Sequence, residues 1–390
     1  MTDEGSRDEW GEGPPIEDPW HGAEYALGAD RLDTPDVIAA ADPGDMLRQV
    51  ASAAAQVRTA LRSCAETDLS AFTPDNRPRA MLVAGMGGSG TAGDILSAIC
   101  GTGSPVNLQT VRGSRLPGWV GATDLVIAVS CSGTSAETLA VATEAARRGC
   151  PLVAVGTEGS PLHRIAEQGR GTFIPVDRSQ PALPRQSLWA LTVPLLVIAE
   201  RLGITRIGEE VYEQTAQRLE EVSHQCRPAS ESFVNPGKSL ALDLDGSLPV
   251  LWGTSELSAV AATRFACQLH ENAKYPAMAG MLPEATHNQL GIFDGPFVPG
   301  PDSLEPAPGF TPIRLVLIAD EGARDTGAIT ELAARRGIAL SELAMAGEHP
   351  LDRLAAVIQL TDYASVYLGI ASGIDPGQAD VIRDMPARIE

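Results

Sequence analysis

The sequence predicts an α/β protein of two domains, each a parallel sheet flanked by helices. Its 390 residues, 44% of them hydrophobic, exceed the roughly 250–300 residues at which a single hydrophobic core stops growing. Short apolar runs that are typical of buried parallel strands alternate with helical segments in both halves of the chain. We therefore expect an acidic, flexible leader over 1–30, a first domain over 31–205 and a second domain over 206–390.

The first half alternates strands and helices from Met81 onward. Strands are expected at 81–85, 106–111, 124–130 and 151–156, and helices at 91–99 and 136–149. A long apolar helix near 187–203 and a charged amphipathic helix near 207–225 follow. The second of these helices is typical of a spacer between two domains.

The second half begins with a similar pattern. A strand at 248–253 ends in glycine and is followed by a turn with serine and threonine and by a helix that starts near Leu257. This weakly repeats the pattern of 81–95, which favours two similar halves. The remaining elements expected are strands at 313–320 and 338–344 and helices at 325–336 and 351–371.

Composition restricts the classes of partner. The formal net charge of −21 repels nucleic acid and anionic membrane surfaces, so neither is expected to bind. The N-terminus lacks a signal-type apolar stretch, and no unbroken apolar run approaches the ~18 residues of a membrane helix, which favours a cytoplasmic protein. The six cysteines show neither a CxxC pair nor zinc-like spacing and are expected to be reduced thiols.

A glycine-rich turn, Gly85-Met86-Gly87-Gly88-Ser89-Gly90, lies between a strand and a helix. Glycines let the backbone approach a ligand, and the free N–H groups of a helix N-terminus attract an anion. The turn also matches the GxGxxG dinucleotide fingerprint, which requires an acidic residue about 20 positions on. The next strand ends instead at Arg112, which fits only an NADP variant. Dinucleotide binding and a purely structural turn therefore remain alternatives.

A second turn, from Ser130 to Thr138, carries five hydroxyl side chains between a strand and a helix. Such a turn can surround a phosphate dianion with O–H donors, while the helix start adds N–H donors and partial positive charge. The alternative is an ordinary helix cap with Glu137 in the first helical turn. A cap needs one hydroxyl rather than five, so phosphate binding is favoured.

A third candidate is His270-Glu271-Asn272-Ala273-Lys274, with His287 sixteen residues after Glu271. A glutamate and a histidine at this separation are weak evidence on their own. The chemistry is nonetheless coherent. Moving a carbonyl between C1 and C2 of a sugar needs a carboxylate to carry the proton, a cation near the enediolate oxygens and an acid/base group to open the ring.

At these residues the chain resembles the bifunctional phosphoglucose/phosphomannose isomerase family, a branch of the SIS-domain superfamily. The resemblance runs from about residue 33 to the C-terminus. It rests on the order and spacing of several short motifs: GMGGS at 85–89, SxSGxS at 130–135, Pro184-Arg185, ENAK at 271–274, PE..HN at 283–288, Ser365-Val366-Tyr367-Leu368 and Gly373-Ile374-Asp375-Pro376.

The resemblance implies two SIS domains, an active site completed at a homodimer interface, and aldose-ketose isomerisation of glucose 6-phosphate or mannose 6-phosphate. It implies that Glu271 moves the proton, that Arg185 stabilises the enediolate, and that His287 assists ring opening from the partner subunit. No metal, nucleotide or other cofactor is implied. The residues implied to hold the phosphate and sugar are Gly87, Gly88, Ser89, Ser130, Ser132, Gly133, Thr134 and Ser135.

The chain departs from the family pattern in three places. The family usually carries a C-terminal lysine that helps to open the ring, whereas 381–387 contains none, and Arg383 or Arg388 is a poor proton donor. Thr134 stands where asparagine is common, and Gln289 where glutamate is frequent. A non-catalytic SIS module that binds a sugar phosphate is therefore the alternative function, and an NADP-dependent oxidoreductase ranks behind it.

Overall fold

The computed structural model describes residues 28–177, 183–298, 310–323 and 326–381. The strands found in these ranges are β1 (Ala80–Ala84), β2 (Asn107–Val111), β3 (Leu125–Ser130), β4 (Leu152–Gly156), β5 (Thr172–Pro175), β6 (Leu248–Gly253), β7 (Met278–Met281), β8 (Ile313–Asp320) and β9 (Ala339–Met345).

Helices cover both sheets. They are α1 (Gly28–Leu32), α2 (Pro35–Ala41), α3 (Met46–Ala51), α4 (Ala53–Glu66), α5 (Gly88–Cys100), α6 (Ala136–Arg147), α7 (Pro161–Gln168), α8 (Leu188–Arg201), α9 (Gly208–Gln225), α10 (Pro236–Leu244), α11 (Glu256–Gln268), α12 (Glu284–Asn288), α13 (Thr326–Arg335) and α14 (Pro350–Ala371). Short 3₁₀ turns lie at Pro74–Asn76, Pro184–Gln186 and Leu290–Asp294, and a π-helical turn, Leu269–Ala273, directly follows α11.

The two sheets share one strand order. The first sheet runs β2-β1-β3-β4-β5 and the second runs β7-β6-β8-β9, with every neighbouring pair parallel. The order 2-1-3-4 of the first sheet therefore recurs in the second. This confirms the predicted fold class of two parallel sheets flanked by helices.

Several elements lie outside the sequence prediction. The edge strands β5 and β7 are only four residues long, with one buried residue in β5 (TFIP) and none in β7 (MAGM), and the prediction assigned neither. Helix α7 is short but well capped, because the Ser160 hydroxyl accepts from the His163 backbone N–H and proline occupies its first turn. The prediction also assigned no helices to the N-terminal segment that forms α1–α4.

The N-terminal helices contact the second half of the chain. Arg31 donates to the carbonyl of Ala371 at the end of α14, and the Asp33 carboxylate accepts from the backbone and side chain of Ser232. The predicted leader falls outside the described residues except for 28–30, which form the start of α1. The predicted domain boundary stays a prediction.

A continuous apolar core links the two sheets through the long helix α14. Its buried residues come from both halves, for example Val83 and Val153 of the first sheet and Leu251 and Val316 of the second. Among the described helices, α14 is long and apolar enough to cross a membrane, but 89% of its apolar window is buried inside the protein. Such burial is typical of a core helix. All six cysteines are unpaired.

Candidate active site

The glycine-rich turn joins β1 to α5. Gly87 has φ +53° and ψ −128°, a conformation that side chains disfavour, and a Cβ at Gly85 would lie 2.8 Å from atoms of Ser89. Both glycines are therefore required by this turn. The guanidinium of Arg112, the residue that an NADP site would need, is paired with Asp94 of α5 instead.

The hydroxyl-rich turn joins β3 to α6 and is tightly organised. Ser130 and Ser135 place their hydroxyl oxygens 3.1 Å apart, and Ser132 lies 2.8 Å from the hydroxyl of Thr134. The backbone N–H of Gly133 donates to the Ser130 hydroxyl at 3.1 Å. The side chains of Ser132 and Ser135 are only half-buried and that of Thr134 is exposed, so these three hydroxyls are accessible to a ligand.

Gly133 fixes the approach of this turn to a neighbouring helix. Its φ is +68°, and a Cβ there would lie 2.1 Å from the hydroxyl oxygen of Ser160, the cap of α7. Any other residue would displace both the turn and the cap. The glycine is thus needed by the geometry of the loop, whether or not it touches a ligand.

The two turns lie side by side. Strands β1 and β3 are parallel neighbours in the centre of the first sheet, with Ala84 paired to Ala128, so both turns leave the same carboxyl edge. The carboxyl edge of an open parallel sheet is where such folds bind ligands. The helix N-termini of α5 and α6 begin here and supply N–H groups to an anion.

Glu271 lies in the π-helical turn that extends α11, a distortion that is often found at functional sites. Its side chain is 33% exposed. It borders a cleft of about 640 Å3 whose other lining residues are His270, Lys274, Tyr275, Pro276, Gln378, Ala379, Asp380 and Val381. The carboxylate is therefore within reach of a small molecule.

Arg185 approaches Glu271 from a buried position. Its side chain is 9% exposed, and its Nε lies 3.7 Å from Oε2 of Glu271. The guanidinium donates to Oδ1 of Asn272 at 3.1 Å and to the carbonyl of Pro376 at 2.7 Å. Burial lowers the pKa of this arginine, the Glu271 carboxylate opposes that effect, and nearby Arg264 adds to it.

A buried polar network holds Arg185 and Asn272. Arg264 of α11 forms a two-point ion pair with Asp362 of α14 and donates to the carbonyl of Arg185 at 2.9 Å. Asn272 also donates to Ser365, which in turn donates to the carbonyl of Asp362. Burial raises the pKa of Asp362, and the Arg264 guanidinium opposes this.

Arg264 also lies beside the glycine-rich turn. A Cβ added to Gly88 would lie 3.9 Å from the carbonyl oxygen of Pro184 and 4.0 Å from Nη1 of Arg264. Gly88 therefore lies next to the Pro184-Arg185 turn. The carboxyl edge of the first sheet thus adjoins the turn that carries Arg185.

His287 is not part of this cluster within one chain. It is exposed on the short helix α12, and among the described residues no hydrogen bond or ion pair joins it to Glu271 or Arg185. Gln289 is structural: it accepts from the indole N–H of Trp252 at 2.7 Å and donates to the carbonyl of Ala279 at 3.1 Å. A glutamate here could not make the second of these bonds.

In the corresponding turn of the second half, the hydroxyls bond a carboxylate of the chain itself. After β6, the hydroxyls of Thr254, Ser255 and Ser258 all lie within hydrogen-bond distance of the Asp320 carboxylate at the end of β8. The repeat thus has a hydroxyl cluster at both carboxyl edges, but in the second half a carboxylate of the chain satisfies it. Of these two turns, the one in the first half has no carboxylate among the hydrogen-bond partners found for its hydroxyls within the described residues.

Several residues of the cluster had no role in the sequence prediction, among them Asn272, Arg264 and Lys274. Asn272 lies within the ENAK motif, which could have drawn attention to it, whereas Arg264 is a lone cation in an apolar helix and gives no such signal. Lys274, also in the motif, lines the cleft. Within the described ranges, no group of three or more histidine, cysteine, aspartate or glutamate residues could hold a metal ion.

Comparison with known proteins places these features in context. Residues 233–389 match the family model for the bacterial phospho-glucose isomerase C-terminal SIS domain. A bifunctional phosphoglucose/phosphomannose isomerase of Caldicellulosiruptor bescii is 27% identical over 318 residues, which cover 80% of this chain and 90% of the relative. A D-glucosamine-6-phosphate 4-epimerase of Sulfolobus acidocaldarius is 27% identical over 54% of this chain and 62% of its own length.

Solved structures agree on the fold. The C-terminal domain of glucosamine-fructose-6-phosphate aminotransferase from Francisella tularensis superposes with a TM-score of 0.63, although only 14% of residues are identical. The match covers 85% of this chain and 98% of that one. At this identity the likeness concerns the fold alone.

Proposed function

Because the chain belongs to the family of bifunctional phosphoglucose/phosphomannose isomerases, we propose that it interconverts glucose 6-phosphate, mannose 6-phosphate or both with fructose 6-phosphate. The observation that carries the proposal is the Arg185–Glu271 pair at the edge of an open cleft. A base beside a buried cation is what proton transfer through an enediolate requires.

Glu271 takes the proton from C2 of the open-chain aldose. The electron pair of the broken C–H bond forms a C1–C2 double bond, and negative charge develops on O1. Arg185 stabilises that charge, and its own position is fixed by Asn272 and Pro376. Glu271 then returns the proton to C1 while the proton on O2 passes to O1, which leaves the ketose. In an enzyme that accepts both epimers, C2 is deprotonated from either configuration.

The hydroxyl-rich turn binds the phosphate in this proposal. Ser130, Ser132, Gly133, Thr134 and Ser135 supply hydroxyl and backbone donors, and the N-terminus of α6 adds partial positive charge. Gly87, Gly88 and Ser89 border the sugar. Local donors are necessary because a chain of net charge −21 repels a dianion at long range.

The active form is a cytoplasmic homodimer. His287 supports this part of the proposal, because it is exposed and, within the described residues, makes no hydrogen bond or ion pair with Glu271 of its own chain. In a dimer it enters the site of the second copy and accepts the O1 proton during ring opening.

A coupled assay of fructose 6-phosphate formation from each aldose tests the proposal, with thermal shift measured on the same ligands. We expect turnover of at least one epimer and a loss of most of that turnover in Glu271→Gln. Stabilisation by the ligands without turnover in the native protein would favour the non-catalytic binding module instead.

A further inference from the structure

Lysine is almost absent from this chain. The sequence contains two lysines against 27 arginines, and the two differ in environment. Lys238 is 1% exposed and is committed to structure, because its ammonium donates to the carbonyls of Leu32, Pro228 and Ser230. Lys274 is exposed and lines the same cleft as Glu271. It is the only lysine that a cleft ligand can reach.

Lys274 is held in a defined position. Its backbone has φ +56°, a left-handed conformation that is uncommon for a side-chain-bearing residue. Its Nζ donates to the carbonyl of Glu271 at 2.8 Å and lies 3.4 Å from the carbonyl of Asp375. The ammonium has three donors, so at least one hydrogen is left for a ligand.

The charged groups around Lys274 shift its pKa in opposite directions. Burial lowers its pKa most, the Arg185 guanidinium lowers it further, and the carboxylates of Asp375 and Glu271 raise it. Asp380 and His270 also border the cleft. A lysine with a lowered pKa is a better proton donor near neutral pH than an ordinary one.

We propose that Lys274 is the acid that opens the sugar ring. This inference rests on the proposed isomerase function, because an isomerase that acts at C1 and C2 must first convert the cyclic hexose phosphate into its open chain. In the step proposed, the O1 hydroxyl loses its proton to the neutral imidazole of His287 and the C1–O5 bond breaks. Its electron pair goes to O5, which takes a proton from the Lys274 ammonium.

The products of this step are an aldehyde at C1, a hydroxyl at C5, a neutral amine and an imidazolium. Exchange with solvent restores both side chains. When the ketose ring closes before that exchange, the step runs in reverse: the neutral amine accepts the O5 proton, O5 bonds to C2, and the imidazolium gives its proton to O2.

His270, the other candidate acid in the cleft, is less suitable. Its Nε2 lies 3.3 Å from both the backbone nitrogen and the carbonyl oxygen of Ala277, so this ring nitrogen is engaged by the backbone whichever tautomer is present. Arg185 is buried and donates to Asn272 and Pro376, and a guanidinium is a poor acid. Lys274 is therefore the described group that combines access with acidity.

The test separates ring opening from isomerisation. Exchange between the α and β anomers of glucose 6-phosphate requires ring opening but no proton transfer at C2. It is measured by NMR exchange spectroscopy with the C1-labelled sugar in a Glu271→Gln background, where the sugar is not consumed. We compare Lys274→Met with Arg170→Met, because Arg170 is also an exposed cation with a left-handed backbone, φ +54°.

Lys274→Met should reduce enzyme-dependent anomer exchange by about 100-fold or more, the usual contribution of a general acid, and Arg170→Met should leave it unchanged. Lys274→Arg keeps the charge but donates a proton poorly, so it should not restore the rate. Exchange by Lys274→Met within threefold of the Arg170→Met rate, or full rescue by Lys274→Arg, would overturn the inference. Failure of the native protein to isomerise would instead refute the proposed function, since anomer exchange is measured independently.

Discussion

Arg185 and Glu271 face each other at 3.7 Å without a direct hydrogen bond. The Nε of Arg185 is committed to Asn272, and its Nη2 to the carbonyl of Pro376. The carboxylate thus feels a nearby positive charge, and no hydrogen bond from the described residues engages its side-chain oxygens. The buried ion pair between Arg264 and Asp362 stabilises this arrangement, because Arg264 also donates a hydrogen bond to the backbone carbonyl of Arg185.

Replacing Glu271 with glutamine should lower kcat by about 10²–10⁴-fold, because only the proton-accepting group is removed. The Kd for fructose 6-phosphate, measured by calorimetry, should change less than about threefold because the phosphate contacts remain. Glu66→Gln, an exposed change at the end of α4, is the control and should be silent. A variant of Glu271 with near-native kcat would exclude it as the base.

Replacing Ser132 with alanine should raise KM about tenfold with little change in kcat, since one hydrogen bond to a charged group is worth about 1.5 kcal/mol or more. The matched control is Ser255→Ala in the corresponding turn of the second half. Its hydroxyl already bonds Asp320, so this variant should lose thermal stability but keep phosphate affinity. Equal effects of both variants on KM would show that the first turn is only a helix cap.

Most of the strands and the two turns of the first half were predictable because each carries a local signal. Apolar runs mark β1, β3, β6 and β8, and the spacing of glycines and hydroxyls marks the two turns of the first half. Edge strand β7 is only four residues long, consists of methionine, alanine and glycine, and has no buried residue, so its pairing with β6 is known only from the fold.

The surroundings of Glu271 and Arg185 were only partly predictable from the sequence. Glu271 and Arg185 were identified through their motifs, but the partners that hold them come from distant elements: Arg264 from α11, Asp362 and Ser365 from α14. A lone arginine in an apolar helix does not reveal its partner almost 100 residues away. Nor does the sequence show that Asp320 occupies the second hydroxyl cluster, because that depends on two adjacent strands.

Replacing Asp362 with alanine should lower the free energy of unfolding by about 3–5 kcal/mol, because it leaves the Arg264 guanidinium buried without its partner. Urea unfolding measures the change. The double variant Arg264→Met, Asp362→Leu should recover most of the loss, because no buried charge remains. It should nevertheless lower kcat, since the carbonyl of Arg185 loses its donor. If the double variant loses as much free energy of unfolding as its two single substitutions combined, Arg264 and Asp362 do not stabilise each other as proposed.

The pKa of Lys274 should lie below the ordinary lysine value of about 10.5, and its neighbours should move it in opposite directions. Competitive acylation with mass spectrometry measures it directly, because Lys274 is the only exposed lysine. Glu271→Gln removes a carboxylate that favours the ammonium and should lower the pKa further, whereas Arg185→Met removes a repelling cation and should raise it. If Lys274 opens the ring as the ammonium, anomer exchange should fall as pH rises through this lowered pKa. The pH at which exchange falls should therefore be lower in Glu271→Gln and higher in Arg185→Met. If the pH at which exchange falls is the same in both variants as in the native protein, the group that titrates is not Lys274.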